Sequence, residues 1–361
     1  LGNFSDMLDK RRLHAPGSPP CTLLFVAALT ITGCLSFWLL NGCPGPPLLV
    51  SSPMVAQSPA YVLILPGNGS VHPRPYVLSE LPPDDETTLI DVRNFRFVIN
   101  HEPCNKTQPL LLMLIHSAPS NIPKRMVIRE TWGQRRNGAI VLFLIGTDDK
   151  LQNQIEEEDK IYGDIVQGNF KDAYRNMTYK HVMALKWATY HCPGAKYVLK
   201  LDDDVFVHTP AMLEFLSHDL SPWGARRLIL CDLMAMAMVK RSWRSKWRVS
   251  PLEYPGKTYP VYCAGWAIIY SPDSVFSLYR EAQKESYFWI DDVHITGTLA
   301  KKVNLTQTPL NSLILKKERL KAVLEKQNSP GDFLFGPANM AESDIRALWY
   351  IVTSKPWPSF N

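Results

Sequence analysis

The spacing of apolar residues divides the chain into stretches of different character. Residues 22–40, TLLFVAALTITGCLSFWLL, run for nineteen positions without a charge, about the length a helix needs to cross a bilayer. From 41 to 103 the pattern breaks into Pro, Ser and Gly without sustained period, as in NGCPGPPLLVSSPMVAQSPA and LPPDDETT. Such a stretch buries too little apolar surface to offset the entropy of ordering it, which predicts a flexible stem.

Past Cys104 the text becomes regular. PLLLMLIHSA (109–118), AIVLFLIGT (139–147) and AKYVLKLD (195–202) are continuous apolar runs of strand length, the signature of strands buried on both faces. Between them, IPKRMVIRETWG (122–133) places Pro123 at a helix start and Gly133 at its end. LQNQIEEEDKIYGDIVQGNF carries a polar helix into a short strand, and MTYKHVMALKWATYHC (177–192) repeats its apolar residues at helical spacing. Strands alternating with helices predict an α/β fold with a mostly parallel central sheet and flanking helices. Ligands in such sheets gather at the carboxyl ends of the strands.

Composition changes this picture little. The 46% apolar content supports a sizeable core, and a net charge of +5 over 361 residues argues against a nucleic-acid partner. Charge does orient the apolar run: Lys10, Arg11 and Arg12 precede it and no comparable basic group follows until Arg74. The positive-inside bias therefore predicts a cytosolic tail over 1–21, a membrane signal-anchor over 22–40 and a lumenal domain over 104–361. A cleaved signal peptide is the competing reading, disfavoured by the length of the run and the lack of an Ala-x-Ala site. Of seven cysteines, Cys104, Cys192, Cys231 and Cys263 fall in the folded part, enough for two disulfides with three possible connectivities. Asn68, Asn105, Asn176 and Asn304 begin N-x-Ser/Thr sequons, with a helix N-cap as the alternative at Asn176.

Three adjacent carboxylates end the run at 195–202. Asp202, Asp203 and Asp204 repel one another and resist burial, yet apolar residues flank them on both sides, so a cation is the natural remedy. On an extended backbone Asp202 and Asp204 project to one side and Asp203 to the other. Two hard oxygen ligands on one face suit Mg²⁺ or Mn²⁺ and leave positions for water and phosphate. Such an ion neutralises the charge of a departing nucleoside diphosphate.

Four ordered motifs, RMVIRETWG (125–133), KYVLKLDDDVFV (196–207), YPVYCAGWAIIYS (259–271) and IDDVHITG (290–297), resemble those of the Golgi β-1,3-glycosyltransferases. That family holds β-1,3-galactosyltransferases and β-1,3-N-acetylglucosaminyltransferases, and the likeness covers roughly 104–315. The resemblance implies a single-pass type II Golgi membrane enzyme with a GT-A fold, a UDP-sugar donor, Mn²⁺ and inversion at the anomeric carbon. It assigns metal and nucleotide binding to Asp202, Asp203 and Asp204, with Asp204 the direct metal ligand beside Asp202. It also assigns the base to Asp292, with Asp291 shaping the site. An inverting transfer needs one base on the face opposite the leaving group; a helix N-terminus decorated with acids is the structural alternative.

Arg125 and Arg129 stand four apart, a spacing that can aim two guanidinium groups at one target, and the resemblance implies donor contact. Asp164 and Lys180, in YGDIVQGNFKDAYRNMTYK, are placed near the nucleotide by likeness alone. Trp247, Tyr259, Tyr262, Gly265 and Trp266 lie in close succession and suit a sugar platform, because aromatic faces pack on pyranose rings and glycine admits close approach. Family members commonly read Gly-Thr-Gly-Tyr or Gly-Gly-Ala-Phe where this chain has GWAIIY. His294 stands where many relatives carry Tyr and is given no role.

The combined expectation is a β-1,3-galactosyltransferase acting on an N-acetylhexosamine-type acceptor of glycoprotein or glycolipid. A β-1,3-N-acetylglucosaminyltransferase shares every motif. An inactive, membrane-tethered lectin-like module is the rival of another class, opposed by the complete acidic triplet and the intact second Asp pair.

Overall fold

The computed structural model describes residues 60–65, 75–105, 108–325 and 329–354. The expected cytosolic tail and membrane span lie outside them, and among the described residues no helix is long and apolar enough to cross a membrane.

An eight-stranded sheet organises the fold. Its strands are β1 (Phe97–Ile99), β2 (Leu111–His116), β3 (Ala139–Thr147), β4 (Ile165–Lys171), β5 (Tyr197–Asp202), β6 (Ile229–Met234), β7 (Tyr262–Tyr270) and β8 (Thr308–Pro309), in the spatial order β8-β6-β7-β5-β2-β3-β4-β1. The central four, β5, β2, β3 and β4, run parallel as the sequence predicts. Flanking pairs β5/β7, β6/β7 and β1/β4 are antiparallel, so the sheet is mixed.

Alternation along the strands divides the core into two layers. Leu112, Leu114 and Val198 face α3 (Met177–His191) and α4 (Pro272–Ala282). Leu111, Met113, Ile115 and Leu199 face α1 (Ile122–Glu130) and the C-terminal α5 (Glu342–Thr353). A two-residue side-chain period supplies one apolar face to each layer. Each fully buried Leu or Ile contributes about 1.5–3 kcal/mol. The acidic α2 (Gln152–Tyr162) connects β3 to β4.

The stem boundary at 103 requires correction. Tyr76 stacks on Phe276 at 4.6 Å and its hydroxyl donates to the Thr189 carbonyl. Buried Asp85 accepts from the Tyr190, Tyr279 and Gln283 side chains at 2.7, 2.5 and 2.9 Å. Phe95 is buried and β1 closes the sheet edge. Residues 75–103 therefore belong to the folded unit. Their apolar anchors dock one by one instead of along a periodic face, which hid them from pattern reading.

Both disulfides form, Cys104 with Cys192 and Cys231 with Cys263. The second joins β6 to β7 at the root of the excursion between them. At Asn176 the side-chain amide donates to the Lys171 carbonyl and does not cap α3.

Candidate active site

Lys200 is the anomaly around which the site is built: a lysine in the middle of buried β5, only 2% exposed. A buried ammonium needs partners. Its Nζ donates to Asp202 Oδ1 at 2.9 Å and to the Gly265 carbonyl on neighbouring β7. Burial alone would lower its pKa, but the charges of Asp202, Asp291 and Asp292 more than offset this and raise it. One lysine thus electrostatically joins the two acidic motifs that the sequence keeps almost ninety residues apart.

Asp291 and Asp292 are neighbours in very different surroundings. Asp291 Oδ2 lies 2.8 Å from His181 Nδ1, and His181 Nε2 lies 3.2 Å from the Tyr270 hydroxyl. Burial works against the Asp291 charge, but the His181 hydrogen bond and Lys200 overcome it and hold its pKa below the usual carboxylate range. Burial also keeps His181 neutral by lowering its pKa. Neutral His181 therefore donates from Nδ1 to Asp291 and accepts from Tyr270 at Nε2.

Asp292 is pushed the other way. Burial and then the charge on Asp291 raise its pKa, opposed by the Val293 and Gly265 amides and by Lys200. Its Oδ1 accepts from the Val293 amide at 2.7 Å at the start of the helical turn Val293–Leu299. The alternative of an acid at a helix start is therefore also realised in this residue. A Cβ on Gly265 would stand 3.1 Å from Asp292 Cβ, so this glycine makes room for the carboxylate. Two carboxylates split by environment are the pattern of acid/base chemistry.

The triplet differs in detail from the expected alternation. β5 ends at Asp202, and Asp203 and Asp204 lie in a turn, where the two-residue side-chain period no longer applies. Lys124 Nζ reaches Asp203 Oδ1 and Asp204 Oδ2 at 3.2 Å each. Burial lowers the Lys124 pKa, but these two carboxylates outweigh it and the net shift is upward. Asp203 also accepts from Ser117 Oγ at 2.7 Å and Asn121 Nδ2 at 2.8 Å. It braces the triplet against the loop before α1, whereas the sequence assigned it to the donor.

The residues present fit a divalent ion. Partly exposed Asp202 and Asp204 carry hard oxygen ligands, and the Lys124 ammonium shows that a positive charge is accommodated beside Asp204. No cluster of three metal-ligating side chains occurs among the described residues. Mg²⁺ and Mn²⁺ characteristically take one or two carboxylates and complete their shell with substrate phosphate and water.

Other assignments are corrected. Arg125, fully buried, spends all five donors on the fold: Glu158 Oε1 and Oε2 at 2.8 and 2.6 Å, Ser117 Oγ at 3.0 Å, and the carbonyls of Ala118 and Pro119. Arg129 pairs with Asp164 at 2.9 and 2.7 Å and with Glu158 at 2.7 Å, lying over the Tyr162 ring at 4.0 Å. Arg125, Arg129 and Asp164 thus lock α1 to α2 and the link that follows it, Glu158 of α2 and Asp164 just beyond its end having captured the guanidinium groups. Lys180 is buried against Asp172, 2.8 Å away, and the Ser117 carbonyl. It supports the Ser117 loop from α3.

The aromatic platform is divided. Tyr259 is only 8% exposed and belongs to a small core with Val239, Val249, Trp289 and Val293, because the excursion folds over it. Tyr262 stands near Asp292; burial, then that charge, pushes its phenol up to about 12. Trp266 packs edge-on against Phe335 at 5.8 Å and donates to Asp232 at 3.3 Å. Trp247 is half-exposed beside Tyr174, whose phenol is raised by burial and also feels Asp291, Asp292 and Asp202. His294 is buried, its pKa lowered by burial to about 4, consistent with a packed residue.

Sequence reasoning missed Lys200, His181, Lys124 and the contact of the tail with the triplet. The Met340 amide donates to the Asp204 carbonyl at 2.9 Å and the Gly336 amide to Phe206, so residues 336–340 hold the triplet turn in place. Only Lys200 carried a signal: a lone charge inside an apolar strand.

Comparison with known proteins finds similarity to glycosyltransferases. A family model described as Galactosyltransferase matches residues 123–311, more than half of the chain. A mouse protein named Beta-1,3-galactosyltransferase 2 is 34% identical over 218 residues, 58% of this chain and 51% of the relative. The human lactosylceramide 1,3-N-acetyl-beta-D-glucosaminyltransferase is 35% identical, covering 58% and 59%. The human UDP-GalNAc:beta-1,3-N-acetylgalactosaminyltransferase 1 is 32% identical, covering 56% and 63%. The chain spans between half and two thirds of the length of these relatives.

Proposed function

As the chain belongs to the galactosyltransferase family, we propose that it transfers a hexose from a UDP-sugar to a glycan hydroxyl through a β-1,3 linkage, inverting the anomeric carbon on a GT-A-type scaffold. The observation that carries the mechanism is the split pair: Asp291 held ionised by His181 and Lys200, and Asp292 raised toward neutrality beside it. A carboxylate so raised accepts a proton more readily than an ordinary one near neutral pH. The acceptor O–H gives its proton to Asp292 as its oxygen bonds to the anomeric carbon. The bond from that carbon to the diphosphate oxygen breaks, and UDP carries away the electron pair.

Lys124, next to Asp204, supplies positive charge on the leaving-group side. A Mn²⁺ ion would be held by Asp202 and Asp204, and its chemistry there is to neutralise the diphosphate. Asp203, Asn121 and Ser117 keep the triplet turn fixed, while Tyr262 and Trp247 flank the approach to the base.

Galactose is the donor we favour, given the family description and the relatedness to Beta-1,3-galactosyltransferase 2, with an N-acetylhexosamine-type acceptor. A UDP-N-acetylglucosamine donor is the second reading, favoured by the likeness to the lactosylceramide enzyme. A type II Golgi membrane protein with its active domain in the lumen is the setting proposed. The test is a screen of UDP-galactose, UDP-N-acetylglucosamine and UDP-N-acetylgalactosamine, with and without Mn²⁺, reading UDP release. Asp292→Asn should keep UDP binding within about twofold and lose about 10²–10⁴ in kcat. Absence of UDP release with any donor and acceptor would refute the transferase reading and favour a lectin-like module.

A further inference from the structure

The excursion between β6 and β7 carries a feature the transfer reaction leaves unused. Lys240, Arg244, Lys246 and Arg248 are all exposed and make no ion pair among the described residues. The acid of this stretch, Glu253, is already taken by Arg175 at 3.4 Å and by the Ser250 amide at 2.7 Å. Arg241 instead turns inward and donates to the carbonyls of Val249, Tyr254 and Gly256 at 2.8, 2.6 and 2.7 Å. Buried Val239, Val249 and Tyr259 peg the excursion to the fold, and Val249 N donates to Lys240 O at 2.9 Å. This is a shaped arm with its cations facing outward.

Aromatic rings alternate with those cations. Trp243 is 77% exposed with the Arg244 guanidinium 5.2 Å from its ring; Lys246 lies 4.5 Å from the Trp247 ring and 5.8 Å from that of Tyr174. The Tyr174 ring in turn lies 6.0 Å from that of Trp289, two residues before Asp291. The arm therefore begins at the acidic centre and leads away from it. An anionic group is repelled by those carboxylates and attracted to the arm, so the two regions together orient an elongated ligand. Indole faces suit pyranose rings, and guanidinium groups suit carboxylate or sulfate.

Resting on the transferase reading above, the geometry points to a second acceptor subsite along residues 240–248 that binds the acidic sugars of an anionic saccharide. Its neutral, hydroxyl-bearing end lies at Asp292. Exposed Met236 and Leu252, at 84% and 98%, would also suit a lipid surface, but Lys246 and Trp247 turn toward Tyr174 and the reaction centre, which favours the saccharide.

Binding, not turnover, is the test. Hyaluronan hexasaccharide, which carries glucuronate, and chitohexaose, which is neutral, are titrated against the protein by tryptophan fluorescence and calorimetry. Wild type is expected to prefer the acidic saccharide by about tenfold or more, with affinity falling as salt rises. Arg244→Glu with Arg248→Glu should erase that preference, and the milder Arg244→Gln with Arg248→Gln should halve it on a logarithmic scale, with unfolding midpoints near wild type. Equal binding of both saccharides by wild type, or a preference that survives charge reversal, overturns the proposal. So does co-sedimentation with phosphatidylserine vesicles, lost on charge reversal, without any saccharide preference. UDP release is scored separately: its absence with acidic binding intact counts against the transferase reading, and its presence without acidic preference counts against this subsite.

Discussion

His181 Nδ1 stands 2.8 Å from Asp291 Oδ2, with its Nε2 3.2 Å from the Tyr270 hydroxyl. This contact, with Lys200, favours the charge on Asp291 over its neighbour. His181 is a positioning residue, and its effect should appear in the pH profile. In the proposed mechanism Asp292 acts as base only when deprotonated, and its pKa is raised. Activity should therefore fall as pH drops through a point above the ordinary carboxylate range of about 4. His181→Phe removes the donor to Asp291 and leaves Lys200 alone to hold its charge, so Asp291 ionises less readily and Asp292 loses part of what raises it, burial remaining. The acidic limb of kcat/KM should move to lower pH while kcat drops. His181→Asn, which retains a donor near the Nδ1 position, should restore part of both. An unshifted limb in His181→Phe would reduce the contact to packing.

Arg125 separates a structural from a substrate-binding role. With every donor committed inside the fold, Arg125→Met leaves Glu158 buried with only part of its compensation. Breaking a buried pair by removing one partner costs about 3–5 kcal/mol. Denaturant unfolding should show that loss, while the KM for the UDP-sugar in the folded fraction stays within about twofold. A large rise in donor KM without loss of stability would reinstate the donor contact.

Legibility followed the range of the interaction. The parallel central strands, the helices at 122–133 and 177–192, and the crowding of the first Asp triplet could be read from local pattern, because a strand's period or a carboxylate's repulsion lies within a few residues; family resemblance alone singles out Asp291 and Asp292. The four-residue spacing of Arg125 and Arg129 correctly put them on one face, but their targets are acids some thirty residues on, Glu158 in α2 and Asp164 just after it. Lys200, His181 and Gly265 meet the acids only because β5, α3 and β7 converge on residues 291–292. No one-dimensional pattern marks such a convergence. The tail's closing helix was legible in FLFGPANMAESDIRALWYIV and forms at Glu342–Thr353, but its packing was not, for the same reason: Phe333 and Phe335 fill the layer beneath the triplet, yet their neighbours are distant in sequence.

The Cys231–Cys263 bond closes the excursion that carries the basic arm. A crosslink at this separation, 32 residues, is worth about 3–4 kcal/mol in the chain-entropy picture. Replacing both cysteines by Ala should lower the unfolding free energy by about that amount. β7 also supplies Gly265, so activity should fall with stability, and protease nicking should begin between 234 and 258. Equal protease resistance in the variant would show that the buried pegs suffice to hold the arm.

Gly265 offers the sharpest test of the base assignment, because its substitution adds one methyl group and no charge. An added Cβ would stand 3.1 Å from Asp292 Cβ, tighter than an ordinary contact, and 3.5 Å from its Oδ2, an ordinary one. β7 is held between β5 and β6, so the strand cannot easily withdraw, and the carboxylate must shift by a few tenths of an ångström. Shifts of that order at a reacting group lower the rate with little effect on ground-state binding. Gly265→Ala should therefore lower kcat by about tenfold or more while leaving UDP affinity within about twofold, since the triplet turn lies on the other side of Lys200. Gly265→Val should deepen the loss. Unchanged kcat in Gly265→Ala, with a folded protein, would mean that the position of Asp292 does not limit the reaction, and the base would have to be sought elsewhere.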